Sequence, residues 1–167
     1  MERWRAIDAA PEGEARALLR VCCGSQGWID AMLRRRPFHT AADATAAARE
    51  IWFALTPDDW QEAFAHHPRI GDLDAMRQKF AATRALSSRE QAGVDDAPAD
   101  VLAALLAANR AYEERFGYIF IVCATGRSAN EMLEMLRARL RNAPAQEILV
   151  AAEEHARICE LRLLTAT

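Results

Sequence analysis

The sequence predicts an all-α protein, a single compact domain over residues 1–167 with eight or nine helices and one buried extended segment at 118–124. Three observations point there. Alanine and leucine are abundant, while only seven glycines and six prolines interrupt them, which favours helices joined by short turns. Cap and stop residues bracket most of the apolar runs. The chain, at 167 residues and 51% apolar, is long enough to bury a core without disulfide staples.

A first helix is expected over 11–22, ended by Gly24, and a second around 28–35, stopped before Pro37 because the residue preceding a proline is pushed out of helical geometry. A third begins with Thr40 as N-cap and Asp43 in its first turn, reading through Ile51, Trp52 and Leu55. The fourth has the clearest start. Thr56 caps, Pro57 takes the first helical position, Asp58 and Asp59 suit the positive end of the dipole, and Leu55 is placed to staple onto Trp60. Pro68 marks its end.

After a segment at 72–86, Ser87 or Ser88 can cap a short turn closed by Gly93. Asp95-Asp96-Ala97-Pro98 then introduces a long helix to Phe116, stopped by Gly117. The apolar stretch 118–124 follows. Ser128-Ala129-Asn130-Glu131 is a capping-box pattern opening a helix to about Arg141, and Pro144 opens the last helix, through Leu164. Neither an internal repeat nor a low-complexity tract is visible.

A net charge of −3 argues against a nucleic-acid partner, which calls for a basic stripe. The longest apolar run is too short for a membrane span, and Met1-Glu2-Arg3-Trp4 leads into an amphipathic segment rather than a signal peptide. A cytoplasmic location is therefore expected. Cys22, Cys23, Cys123 and Cys159 lack C-x-x-C spacing and read as reduced, semi-buried small hydrophobes. His155 and Cys159 sit at i, i+4, but two ligands are too few for a metal, so none is expected.

Three segments look unlike helix filler. In Ala65-His66-His67-Pro68-Arg69-Ile70-Gly71-Asp72, a helical wheel places His67 on the face of Trp60 and Phe64, with His66 to the side. A histidine at a helix end against apolar residues titrates near neutrality and suits acid/base work; it is equally explained as a satisfied core histidine. In Ser87-Ser88-Arg89-Glu90-Gln91-Ala92-Gly93, Ser87 and Glu90 form an S-x-x-E capping box, a complete structural explanation by itself. The stretch from Gly117 to Ser128 needs partners for its backbone N–H and C=O groups, and some could bind a small polar ligand; strand-like filler is the alternative.

Taken together and in this order, H-P-R-I-G-D, S-x-x-E-Q-A-G and F-G-Y-I-F-I-V-C-A-T-G-R-S resemble the signatures of 2-oxo-4-hydroxy-4-carboxy-5-ureidoimidazoline (OHCU) decarboxylases, over nearly the whole chain. The resemblance implies a helical homodimer that decarboxylates an unstable, anionic intermediate of urate breakdown to (S)-allantoin and CO2. It places the catalytic histidine on His67, its neighbour on Pro68, and the second motif on Ser87, Glu90 and Gln91. Substrate-contacting backbone falls within Ile119, Phe120, Ile121, Val122, Cys123 and Ala124, and an arginine of the last helix falls on Arg162. The extra His66 before the motif is a departure from the pattern.

The implied substrate explains why no cofactor is expected. Decarboxylation leaves an electron pair that many enzymes pass to an organic cofactor. Here the carboxylate-bearing carbon adjoins a ring C=N bond, so the substrate is its own electron sink. The protein has to orient it, handle a hydroxyl proton and protonate the neighbouring carbon from one face. His67 suits the proton transfer, and Glu90 either holds the hydroxyl or orients the histidine. Arg162, or Arg69 in its place, would clamp the carboxylate in the planar geometry that guanidinium favours. Two rival readings remain at this level: a non-enzymatic helical interaction module, and a lyase or hydrolase acting on a related ureido compound.

Overall fold

The computed structural model describes residues 1–68 and 98–166. Within them eight helices follow one another: α1 (Arg3–Ala9), α2 (Glu12–Cys22), α3 (Gln26–Arg35), α4 (Ala41–Ala54), α5 (Pro57–Ala65), α6 (Ala99–Phe116), α7 (Ala129–Arg139) and α8 (Pro144–Leu164). The described residues contain no strand, only an isolated antiparallel bridge between Glu2 and Ala166. The all-α class is thus as expected. No described helix is long and apolar enough to cross a membrane.

The start signals act as the sequence implies. The Thr40 side chain accepts from the backbone N–H of Asp43, and Thr56 with Asp59 forms a reciprocal capping box under Pro57. Ser128 and Glu131 form a second such box. Each satisfies donors that a helix start otherwise leaves orphaned, contributing about 1 kcal/mol per cap. Ser25 caps α3 by accepting from Trp28 N–H, a signal the sequence reading passed over. Gly117 closes α6 at φ 81°, a left-handed conformation that L side chains rarely adopt.

One element differs from expectation, and one glycine has a further reason. Helix α1 was not anticipated, because seven residues are too few for periodicity to declare them. It is held by the C-terminal end of the chain: Arg3 N–H donates to Thr165 O, and the Arg3 guanidinium to Arg162 O. Gly24 follows the extended cap residue Cys23, and its role is spatial. A Cβ built there would lie 2.4 Å from the Cβ of His66, so the missing side chain lets the end of α5 approach.

The chain forms two compact units. The first comprises residues 1–67 and 148–167. Its core is aromatic: Trp28, Trp52, Trp60 and Phe64 are buried with Ile7, Leu19, Ile29, Met32 and Leu163. Each indole N–H finds a backbone acceptor, Trp28 on Ala48 O at 3.0 Å, Trp52 on Ala152 O at 2.9 Å and Trp60 on Trp52 O at 2.9 Å. None of these three indole donors is therefore stranded in the apolar interior. The second unit spans residues 68–147, and among its described residues α6 packs against α7 around Leu102, Leu105, Tyr112, Met132, Leu133 and Leu136.

Candidate active site

Helix α5 stops at Ala65, with His66 as its cap residue and the N–H of His67 donating to Phe64 O at 3.1 Å. His66 is exposed and His67 half-buried, the sense of difference that the helical wheel implied. The His67 ring stands edge-on to that of His155, 5.1 Å between centroids at 79°. His155, fully buried on α8, stacks on Trp52 at 4.4 Å and lies 5.7 Å from Phe64. Behind His67 is therefore an aromatic wall rather than water.

Burial, followed by the charges of His67 and Arg162, holds the His155 pKa well below the ordinary imidazole value. His155 is therefore neutral at physiological pH. Arg162 donates through one guanidinium nitrogen to Val21 O at 3.2 Å and Cys22 O at 3.1 Å, at the C-terminal end of α2. This favourable dipole position engages one terminal arm of the guanidinium. In the first unit the fold thus groups His67 and Arg162 around His155, a residue the sequence reading considered only for metal binding.

In the second unit, residues 118–124 form no helix and no ladder, and Tyr118, Phe120, Ile121 and Val122 are buried. Ile119, Cys123 and Ala124 are half-buried. The segment is held by arginines. Arg139 donates to Ile121 O at 2.7 Å, and Arg127 Nε donates to Cys123 O at 3.1 Å. Arg139 is buried and lies 4.6 Å over the Phe120 ring. Its charge is met by the fully buried Glu147, whose Oε1 accepts from Arg139 Nε at 2.7 Å and from Tyr112 O–H at 2.5 Å, while Oε2 accepts from Asn142 at 2.7 Å. Burial, reinforced by the Glu147 hydrogen bond, drives the Tyr112 phenol far above its usual range, so it stays a donor.

This Tyr112–Arg139–Glu147 network escaped sequence reasoning. Its members lie 8 to 35 residues apart. No spacing signal singled them out, since α7 and α8 carry several other arginines and glutamates. Through Arg139 the network engages the Ile121 carbonyl, while Arg127 separately engages that of Cys123.

Pro68 is exposed and is the last residue described before the gap. Arg69, Ser87, Glu90 and Gln91 lie outside the described residues. As for metals, the count of two possible ligands was too low, because Cys23 joins His155 and Cys159 with ligand atoms all within 4.8 Å of one another.

The OHCU decarboxylase family matches residues 8–164. The chain is 37% identical over 145 residues to the uric acid degradation bifunctional protein TTL of Arabidopsis thaliana, covering 86% of this chain and 44% of that protein. It is 36% identical over 129 residues to the 2-oxo-4-hydroxy-4-carboxy-5-ureidoimidazoline decarboxylase of Amia calva, covering 77% of this chain and 73% of that one. Among solved structures, an OHCU decarboxylase crystallised in the presence of (S)-allantoin superposes with a TM-score of 0.72 at 35% identity, covering 92% of this chain and 96% of that one. An (S)-allantoin synthase shares the fold at a TM-score of 0.69 and 21% identity, with 96% of this chain and 52% of that one covered. The chain thus spans less than half of the plant relative, and nearly all of the first solved structure.

Proposed function

The chain belongs to the OHCU decarboxylase family, and we propose on that premise that it converts 2-oxo-4-hydroxy-4-carboxy-5-ureidoimidazoline to (S)-allantoin and CO2 in urate breakdown. The observation that carries this reading is the family match over residues 8–164. That the match runs through both units also supports treating them as one functional domain. The half-buried His67, seated against neutral His155 and aromatic rings, supports a role in proton transfer.

In this reading the C–C bond to the carboxylate breaks, its electron pair forms a C=C bond to the neighbouring ring carbon, and the C=N pair moves onto nitrogen, which takes a proton from solvent. The resulting enol-like intermediate gives up its hydroxyl proton as the carbonyl forms. A proton delivered to one face of the neighbouring carbon sets the (S) centre. His67 serves the proton movement, for which a positioned acid/base group gives about 10²–10⁴-fold. Glu90 holds the hydroxyl or orients His67. Ser87, Gln91 and backbone groups of 119–124 match the urea and ring amides, with Arg162 meeting the carboxylate.

Too tight a carboxylate clamp would stabilise the ground state and slow CO2 loss. The shared engagement of Arg162 with Val21 O and Cys22 O suits a modest one. A homodimer in the cytoplasm, acting without nucleic acid or membrane, completes the proposal.

The test is direct. The intermediate is generated from urate with an oxidase and a hydrolase, the protein is added, and optical activity is followed. Rapid appearance of optically active allantoin is expected. Slow, racemic allantoin at the rate seen without the protein would sink the proposal, and consumption to another product would favour a related ureido lyase or hydrolase.

A further inference from the structure

We propose that Cys23, His155 and Cys159 form a buried binding site for a thiophilic d10 cation, zinc(II) or copper(I), separate from the groups assigned to decarboxylation. Their ligand atoms lie within 4.8 Å of one another and all three residues are buried, Cys23 at 1%, His155 at 0% and Cys159 at 3% exposure. The Cys159 thiol already meets His155 Nδ1 at 3.3 Å. Tetrahedral zinc spaces sulfur from nitrogen by roughly 3.6 Å and sulfur from sulfur by roughly 3.8 Å, given its bond lengths to each. The trio thus needs movements of no more than about an ångström to close on an ion. Two thiolates and an imidazole are also the soft donor set that selects these cations over the hard ones.

The position of each ligand follows from the fold. His155 and Cys159 stand one turn apart on α8, on the same helical face, and Cys23 is the cap residue of α2. An ion here would cross-link the end of α2 to α8 across 136 residues of chain (159 − 23). His155 Nε2 is buried with no hydrogen-bond partner among the described residues, so the ring has no polar contact that opposes committing Nδ1 to a metal. A bound zinc(II) would displace the protons of Cys23 and Cys159 to solvent, two per ion, leaving a neutral cluster suited to an apolar interior.

The reduced, metal-free full chain is titrated with zinc(II) against a colorimetric chelator, with copper(I) against bicinchoninate, and with cobalt(II) for its spectrum. About one equivalent of zinc or copper per chain is expected, with thiolate-to-cobalt charge-transfer bands and a higher melting temperature in the presence of the ion that binds. His67 ring resonances should shift as well, since that ring is 5.1 Å from His155. Cys23→Ala and Cys159→Ala should each weaken binding by about tenfold or more. Cys22→Ala should not, because the Cys22 thiol is turned to Leu18 O. Circular dichroism of the metal-free variants establishes folding, and if either cysteine variant unfolds, His155→Phe takes its place, with the same loss of binding expected. Failure of both zinc and copper to bind stoichiometrically overturns the proposal. So does undiminished binding in the folded variants, or loss in Cys22→Ala alone.

Discussion

Removing the charge of Glu147 leaves Arg139 cationic inside the second unit with its counter-ion gone. The two side chains are 0% and 7% exposed and approach to 2.6 Å, so water can replace little of what is lost. Breaking a buried pair from one side costs about 3–5 kcal/mol. Glu147→Gln keeps the shape and an acceptor for Tyr112, so its effect is chiefly this unpaired charge, with the lost acceptor for Asn142 added. Arg139→Met removes the same pair and also strands the Ile121 carbonyl. Making both changes removes the charge problem and leaves chiefly the lost donor to Ile121, about 1–3 kcal/mol. Urea unfolding of the wild type, both single variants and the double variant therefore forms a cycle, and the double variant should be more stable than either single one. At roughly 2–4 °C per kcal/mol for a chain of this size, each single change should lower the melting temperature by about 6–20 °C. Additive losses, or a Glu147→Gln effect below about 1 kcal/mol, would refute the claim that this ion pair is buried and coupled.

His67→Asn should remove most turnover while leaving the protein folded, since asparagine keeps a hydrogen-bonding group but cannot titrate; His66→Asn, at an exposed cap position, should change little. An active but destabilised His67→Asn protein, or an inactive His66→Asn one, would reverse the assignment. Glu90→Gln should retain the melting temperature, because a capping box tolerates glutamine, yet lose much of the activity; unchanged turnover would return Glu90 to a purely structural role. His155 also sets a pH dependence. Its folded pKa lies below the unfolded value of about 6.5, so on acidification the unfolded chain takes up this proton first. The stability is complete above that value and falls, by up to about 1.4 kcal/mol per pH unit, as pH drops toward the folded pKa. Urea midpoints at several pH values between 7.5 and 5 should show a shallower fall in His155→Phe, which preserves the stack on Trp52; identical slopes would remove His155 as the cause.

What the sequence determined by itself was everything written in short range. Thr40, Thr56 and Ser128 act on donors two or three residues away, Pro57 and Gly117 on their own backbone, so these helix ends follow without knowledge of the fold. The ordered motifs around His67, Glu90 and 118–124 similarly carried the family, which the comparisons bear out, although the roles of the individual residues rest on the variants above. Only tertiary structure decided the rest. Helix α1 is too short to announce itself and depends on Thr165 and Arg162 at the far end of the chain. Helix α2 ends at Cys22 as Gly24 implied, but that this position must be glycine follows only from the approach of His66, 42 residues later (66 − 24). The partner of Arg139 and the third member of the Cys23–His155–Cys159 cluster were equally out of reach. A buried charge or thiol is defined by what surrounds it in space, and sequence spacing carries that information only as far as a helix turn or a cap extends.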